Sequence, residues 1–191
     1  MKIYTKVGDK GNTSLYDGSK VSKDNVIINC IGDLDELNSE LGCILASLGD
    51  KSEFKGDMEF LNIIINTQSH LFNLGSLIAH PNNPEKKNIT FDADGLLVKD
   101  LENGIDGMTS LLPKLSNFIL PGGNITMAFT HKARTICRRV ERRMVAIKII
   151  TNNIENTSLA YINRLSDFLF TFARYIGLVY KIDEIIYRSK K

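Results

Sequence analysis

From about Ile31 onward the apolar residues of this chain recur at three- and four-residue steps. Ile31, Leu34, Leu37, Leu41, Ile44, Leu45 and Leu48 fall on one side of a helix. The same spacing predicts a second helix from about Asp57 to Ala79, through Leu61, Ile64, Leu71, Leu74 and Ile78. Pro81 and Pro84, with Asn82-Asn83 between them, break the chain after it. A third helix is expected from about Asp92 to Leu115, with Gly104 and Gly107 weakening its middle. Phe118-Ile119-Leu120-Pro121-Gly122-Gly123 reads as an extended stop, because a residue before proline avoids helical geometry. A fourth helix runs from about Asn124 to Ile150 and a fifth from about Thr157 to Lys181. Long helices joined by short loops predict an all-α fold, an antiparallel five-helix bundle.

Residues 1–28 break the pattern. Gly8-Asp9-Lys10-Gly11-Asn12-Thr13-Ser14 and Asp17-Gly18-Ser19 predict tight turns, so this stretch reads as a loop or a short irregular hairpin. The chain of 191 residues is best taken as one domain, with 1–28 as an attached segment and 29–184 as the bundle.

Composition narrows the classes. Hydrophobic residues make up 43% and charged residues 24%, as in ordinary globular proteins. The net charge of +2 argues against a protein that binds nucleic acid by bulk charge. No apolar run has the length of a membrane span, and Met1 to Lys6 lacks the apolar stretch of a signal peptide. Cys30, Cys43 and Cys137 are scattered and form no CxxC pair, which fits a reducing cytoplasm and argues against a zinc site. His70, His80 and His131 form no close ligand pair, so a protein-held transition metal is not expected.

The small net charge conceals an asymmetry. Between His131 and Lys148 seven basic residues meet only Glu141, so this segment carries +6 and the remainder −4. Arg134, Arg138 and Arg142 are four residues apart and line one side of the fourth helix, with Arg139 and Arg143 in a neighbouring row. A solvated face is the plainer explanation of such a stripe. The use of arginine, which pairs bidentately with phosphate and carboxylate, points instead to an anionic partner.

Three further segments could carry chemistry. In the Thr5–Ser14 stretch, glycines permit close backbone approach and successive N–H groups can form an anion nest, with Lys6 and Lys10 adding charge. A polyphosphate would suit this set. An ordinary hairpin turn explains it too, since neither the Walker pattern nor a GxGxxG turn is present. In Gly32-Asp33-Leu34-Asp35-Glu36-Leu37-Asn38, a first-turn position would account for Asp33 and Glu36 through the helix dipole. Asp35 could also pair with an arginine of the fourth helix, within the chain or across subunits. Asn163-Arg164-Leu165-Ser166-Asp167 interrupts an apolar helix, as buried hydrogen bonds, a lined pocket or an exposed strip between core rows would.

Taken together these segments resemble the PduO-type ATP:cob(I)alamin adenosyltransferases. The resemblance rests on six blocks in order: Tyr4-Thr5-Lys6 with Gly8-Asp9-Lys10-Gly11, Val21-Ser22-Lys23-Asp24, Gly32 through Asn38, Phe118 through Gly123, His131 through Arg142, and Asn163 through Asp167. It covers nearly the whole chain, least distinctively in the second and third helices. It implies a five-helix bundle assembled as a homotrimer with active sites between subunits. It also implies transfer of the 5′-deoxyadenosyl group of ATP to reduced cobalamin, releasing triphosphate, with Mg²⁺ assisting. The cobalt would be the nucleophile, so no serine, cysteine or histidine nucleophile is needed. A reductase and an adenosylcobalamin-dependent enzyme would be further partners.

Carried over by position, Thr5, Lys6, Gly8, Asp9, Gly11, Thr13, Ser14 and Lys23 correspond to the family's ATP-binding segment. Arg134 and Asp35 correspond to a pair across the subunit interface, and Arg138 faces the phosphates. Glu141 and Asn163 fall at nucleotide-side positions. Phe118 matches the aromatic residue that displaces the lower ligand of cobalamin, leaving Co(II) four-coordinate and easier to reduce. The chain departs from the family in having Asn25-Val26-Ile27 where Asp-Pro-Arg is common, Ile31 for a tyrosine, and Val7. The arginine missing at Ile27 would favour an alternative, a nucleotide- or adenosylcobalamin-binding delivery or sensing protein with little turnover. A third class, a helical module whose arginine row docks an acidic partner, leaves the glycine loop unexplained.

Overall fold

The computed structural model describes residues 4, 6–15, 18–49, 54–80, 91–152 and 154–188. Among them five α-helices account for most of the chain: α1 Val26–Ser47, α2 Met58–Ile78, α3 Leu96–Leu111, α4 Ile125–Thr151 and α5 Asn156–Tyr180. Side-chain pairs between helices fix their directions. Glu40 meets Lys132 and Ser47 meets Thr126, so α1 and α4 are antiparallel. His131 packs on Phe170 while Cys137 donates to the Ile162 carbonyl, so α4 and α5 are antiparallel as well. Arg164 reaches Glu102 and Phe168 abuts Gly104, which makes α3 and α5 parallel, as strict up-and-down alternation requires. The bundle expected from the apolar spacing is the fold observed.

α5 lies deepest. From Thr171 to Gly177 every residue is buried, and Phe168 and Phe172 stack at a centroid distance of 5.9 Å. A helix apolar on all sides has neighbours on all sides, here α4, α3 and residues of α2 such as Phe60 against Tyr175.

The boundaries differ from expectation where capping chemistry decides them. α1 begins at Val26, five positions before Ile31, because the Asn25 side chain accepts from the Ile27 N–H at 2.9 Å and caps the first turn. Ile27 is thus a core residue, 7% exposed, rather than part of a turn. The first turn holds no acid, so a helix-dipole role for Asp33 and Glu36 is ruled out by where the helix starts. α3 begins at Leu96 because Asp92, at φ 56°, accepts from the N–H groups of Leu97 and Val98 at 2.8 and 3.0 Å. It ends at Leu111, since Leu112 must be extended ahead of Pro113 (ψ 147°).

Two short antiparallel ribbons accompany the bundle. β1 (Asn12–Ser14) pairs with β2 (Lys20–Ser22), giving the hairpin read from residues 1–28. β3 (Ile119–Leu120) pairs with β4 (Ile185–Ile186), which joins the extended segment before α4 to the tail after α5. Nothing in the local sequence pattern announced that second ribbon.

Candidate functional site

The cations of α4 divide into two groups by the company they keep. Asp33, Glu36 and Glu40 lie along the side of α1 that faces α4. Asp33 accepts ion pairs from Arg139 (3.2 Å) and Arg143 (3.4 Å), Glu36 pairs with Arg139, and Glu40 pairs with Lys132 at 2.8 Å. Arg134, Arg138 and Arg142 have no ion-pair partner among the described residues. Arg138 and Arg142 are exposed. Arg134 is half-buried, and its Nε is buried without a hydrogen-bond partner. Burial, and after it the charge of Arg138, disfavours its positive form and lowers its pKa. An anion beside Arg134 and Arg138 would relieve both effects.

Glu141 continues this stripe one turn beyond Arg138, and the Asn163 side chain donates to its Oε1 at 3.0 Å. α4 and α5 thereby bring two of the expected nucleotide-side residues into direct contact. The rest of the Asn163–Asp167 block resolves by position. Arg164 bridges Glu102 (3.3 Å) and Asp167 (2.8 Å), while Ser166 is buried.

Asp35 is exposed on α1 and pairs with no arginine of α4 within the chain. The within-chain pairing left open by the sequence goes to its neighbours Asp33 and Glu36 instead, because those two face α4.

The glycine segment forms a compact turn. Lys6 is left-handed at φ 60°, Val7–Lys10 make one turn of 3-10 helix, and Gly11 at φ 81° closes it. Lys23 N donates to Gly11 O at 2.9 Å, and the Lys23 Nζ lies against Gly8, where a Cβ would be only 3.1 Å away. Gly8, Gly11 and Lys23 are therefore brought together. Lys6, Asp9, Gly11, Ser14 and Lys23 are exposed, and Thr13 is half-buried in β1. Thr5 lies outside the described residues. No ion pair among the described residues joins this turn to α4.

Phe118, just ahead of β3, is 84% exposed, and its carbonyl accepts from the Tyr187 N–H at 2.8 Å. Two buried polar side chains lie at this end of the molecule. Arg174 is 7% exposed and binds both Glu184 and the Pro113 carbonyl. His131 is 5% exposed with Nδ1 unpartnered, and its pKa is lowered by burial and then by Arg134, with Glu184 opposing. The sequence reading passed over Arg174, a single charged residue in the apolar second half of α5.

Of the cysteines, Cys30 and Cys137 are buried. Burial, followed by Asp33, pushes the Cys30 thiol up to about 12, and burial followed by Glu141 raises Cys137. Neither offers a thiolate. Among the described residues no group of three or more His, Cys, Asp or Glu side chains could hold a metal ion, and no helix is long and apolar enough to cross a membrane.

A stripe of arginines without ion-pair partners among the described residues, on a helical bundle that also carries a glycine turn, presents donors of the kind that suit an anion. Comparison with known proteins makes the class specific. The family model for cobalamin adenosyltransferase matches residues 3–176. The chain is 38% identical over 187 residues to a corrinoid adenosyltransferase of Bacillus subtilis, covering 98% of this chain and 92% of that one. It is 36% identical over 192 residues to the corrinoid adenosyltransferase MMAB of Bos taurus, covering 98% and 76%. Among solved structures, a variant PduO-type ATP:corrinoid adenosyltransferase from Lactobacillus reuteri complexed with cobalamin and ATP superimposes with a TM-score of 0.85. The two are 34% identical, over 100% of this chain and 98% of that one. This chain belongs to the cobalamin adenosyltransferase family.

Proposed function

We propose that the chain transfers the 5′-deoxyadenosyl group of ATP to the cobalt of reduced cobalamin, with Arg134 and Arg138 receiving the triphosphate that leaves. The observation that carries this reading is the division of charge on α4. The acids of α1 neutralise Lys132, Arg139 and Arg143, while Arg134 and Arg138 have no ion-pair partner among the described residues.

In this reading Co(I) of the corrinoid substrate donates an electron pair to C5′ of the ribose. The Co–C bond forms, the C5′–O bond breaks, and its electron pair departs with the triphosphate. Negative charge grows on that leaving oxygen, so guanidinium groups already in place lower the barrier. The glycine turn, with Lys6, Gly8, Asp9, Gly11, Thr13, Ser14 and Lys23, supplies backbone N–H groups and ammonium charge to the phosphates, joined by Thr5. Glu141, held by Asn163, is placed to accept from a sugar or base donor. Phe118 lies against the corrinoid and displaces its lower ligand, which eases reduction of Co(II). The reaction needs Co(I), so a reductase must supply an electron, and an adenosylcobalamin-dependent enzyme would receive the product. Mg²⁺ would accompany the ATP phosphates and offset part of their charge. Asp35 completes the site from a neighbouring copy in a homotrimer, opposite Arg134.

The delivery or sensing alternative leaned on the arginine missing at Ile27. Ile27 is a capped-turn core residue at 7% exposure, so its identity reflects packing, and no observation favours that alternative. The activity is tested by anaerobic incubation with ATP and chemically reduced cobalamin. A photolabile Co–C product and stoichiometric triphosphate are expected. Absence of both, with fully reduced cobalamin present, rejects the proposal.

A further inference from the structure

The tail after α5 is built into the end of the bundle. Lys181 turns at φ 55°, Ile182 N donates to Gly177 O at 2.8 Å, and Ile185–Ile186 then pair with Ile119–Leu120. Tyr187 N donates to Phe118 O at 2.8 Å, so the tail is hydrogen-bonded to the residue that carries the exposed ring. Residues directly opposite or two apart share a ribbon face, so Phe118, Leu120, Ile185 and Tyr187 lie on one side. All four are exposed, at 84, 44, 49 and 52%.

A ribbon of two-residue strands does not hold itself together in water. Arg174 supplies the missing constraint. Its Nε donates to Glu184 Oε1 at 2.5 Å, immediately before β4, and its Nη2 donates to the Pro113 carbonyl at 2.8 Å, on the segment leading to β3. One planar, nearly fully buried guanidinium thus fixes the approaches to both strands. Lysine has a single nitrogen and could not reproduce that fork. A buried arginine this well satisfied, in a helix otherwise apolar around it, is costly to retain unless its geometry matters.

We propose that Arg174 is a positioning residue for the corrinoid side of the reaction: through Glu184 and Pro113 it sets the β3–β4 ribbon and so the placement of Phe118. The inference rests on the reading of Phe118 as the residue that meets the corrinoid. Arg174 itself touches no substrate.

The test uses the full chain and two independent readouts. The first is amide hydrogen exchange in the free protein, which needs no substrate. Glu184→Gln and Arg174→Lys should each speed exchange at Tyr187 about tenfold or more, with protection inside α4 unchanged. Wild-type protection of Tyr187 in both variants overturns the proposal. The second readout is kinetic and spectroscopic. Glu184→Gln, a change at a partly exposed carboxylate that spares the core, should raise the corrinoid KM about fivefold while the ATP KM stays within about twofold. It should also lower the fraction of bound Co(II) corrinoid showing the four-coordinate spectrum in the presence of ATP. Equal movement of both KM values, or of neither, overturns the proposal. Phe118→Ala separates the layers. If it abolishes the four-coordinate signal while Glu184→Gln keeps it, the positioning role of Arg174 fails and the Phe118 reading stands. If Phe118→Ala keeps the signal, the Phe118 reading fails, and the corrinoid half of the proposal falls with it.

Discussion

Arg138 and Lys132 carry the same charge on the same helix, yet their surroundings assign them different work. Lys132 is committed to Glu40, a carboxylate only 5% exposed whose Oε1 already lacks a partner. Arg138 has no ion-pair partner among the described residues. Arg138→Ala should therefore lower kcat/KM by about 10²-fold, the scale of losing one charge-stabilising group, with little change in melting temperature. Lys132→Ala should do the reverse, since it strands a buried carboxylate without touching the stripe. Steady-state kinetics and thermal melts on both variants decide this; equal loss of activity would reject the division of charge. His131 gives a second prediction at this scale. Burial and Arg134 hold its pKa below the ordinary 6.5, against Glu184, so the folded chain keeps it neutral. As the pH falls below 6.5 the unfolded chain takes up the proton first, and stability is lost from there down to the folded pKa. His70, lowered by burial against Asp100 and Asp92, acts in the same direction. Between about pH 7.5 and about pH 5.5, urea midpoints should fall less for His131→Gln than for wild type, with His70 accounting for part of the remainder. Identical slopes would show that His131 does not titrate as its burial requires. The arginine residue type was legible in the sequence. Which arginines are free was not, because that depends on the register of α1 against α4.

At the scale of elements, α1 shows why a boundary can be missed while its helix is found. Ile27, Cys30, Leu34, Leu37, Leu41, Ile44 and Leu48 form one uninterrupted buried row. Its first turn, with Ile27 and Cys30, lies ahead of Ile31, where the apolar steps of the sequence become regular, and Cys30 packs there as a small apolar residue. The opposite lesson comes from α3, whose glycines look like weak points and are contact points. A Cβ on Gly104 would lie 2.8 Å from Ile63 Cδ1 and 2.8 Å from the buried Phe168 ring, whereas one on Gly107 would stay 3.1 Å from Phe60. Gly104→Ala should therefore destabilise by about 1–2 kcal/mol net, because moving the Phe168 ring outweighs the ~1 kcal/mol gained in helix propensity. Gly107→Ala should cost less. Urea unfolding measures both, and a reversed order would mean that the α3–α5 contact is looser than its geometry requires. The β3–β4 ribbon lies beyond any such local reading. Its strands are two residues long and come from distant parts of the sequence, so they leave no periodicity to detect.

For the whole molecule, the sum of charge was the most readable quantity and the least informative until it was divided between helices. Three acids of α1 turn three of the seven basic residues of the α4 cluster into structural ion pairs, which leaves one stripe positive and facing outward. In the proposed reading, the outward stripe, the exposed Asp35 and the glycine turn, which has no ion pair to α4 among the described residues, belong to one site that a second copy would complete. The homotrimer expected from the family would assemble it, with α1 of one copy against α4 of the next. That arrangement has a consequence no single-chain site shares. Asp35→Ala and Arg134→Ala variants should each be nearly inactive alone. Co-expressed in equal amounts, they should recover about one quarter of wild-type activity, because a site pairing α1 of the second variant with α4 of the first contains neither substitution. Sedimentation would establish that mixed assemblies form. Mixed trimers without recovered activity would place Asp35 and Arg134 in the same chain's site, and the shared-site arrangement would have to be abandoned.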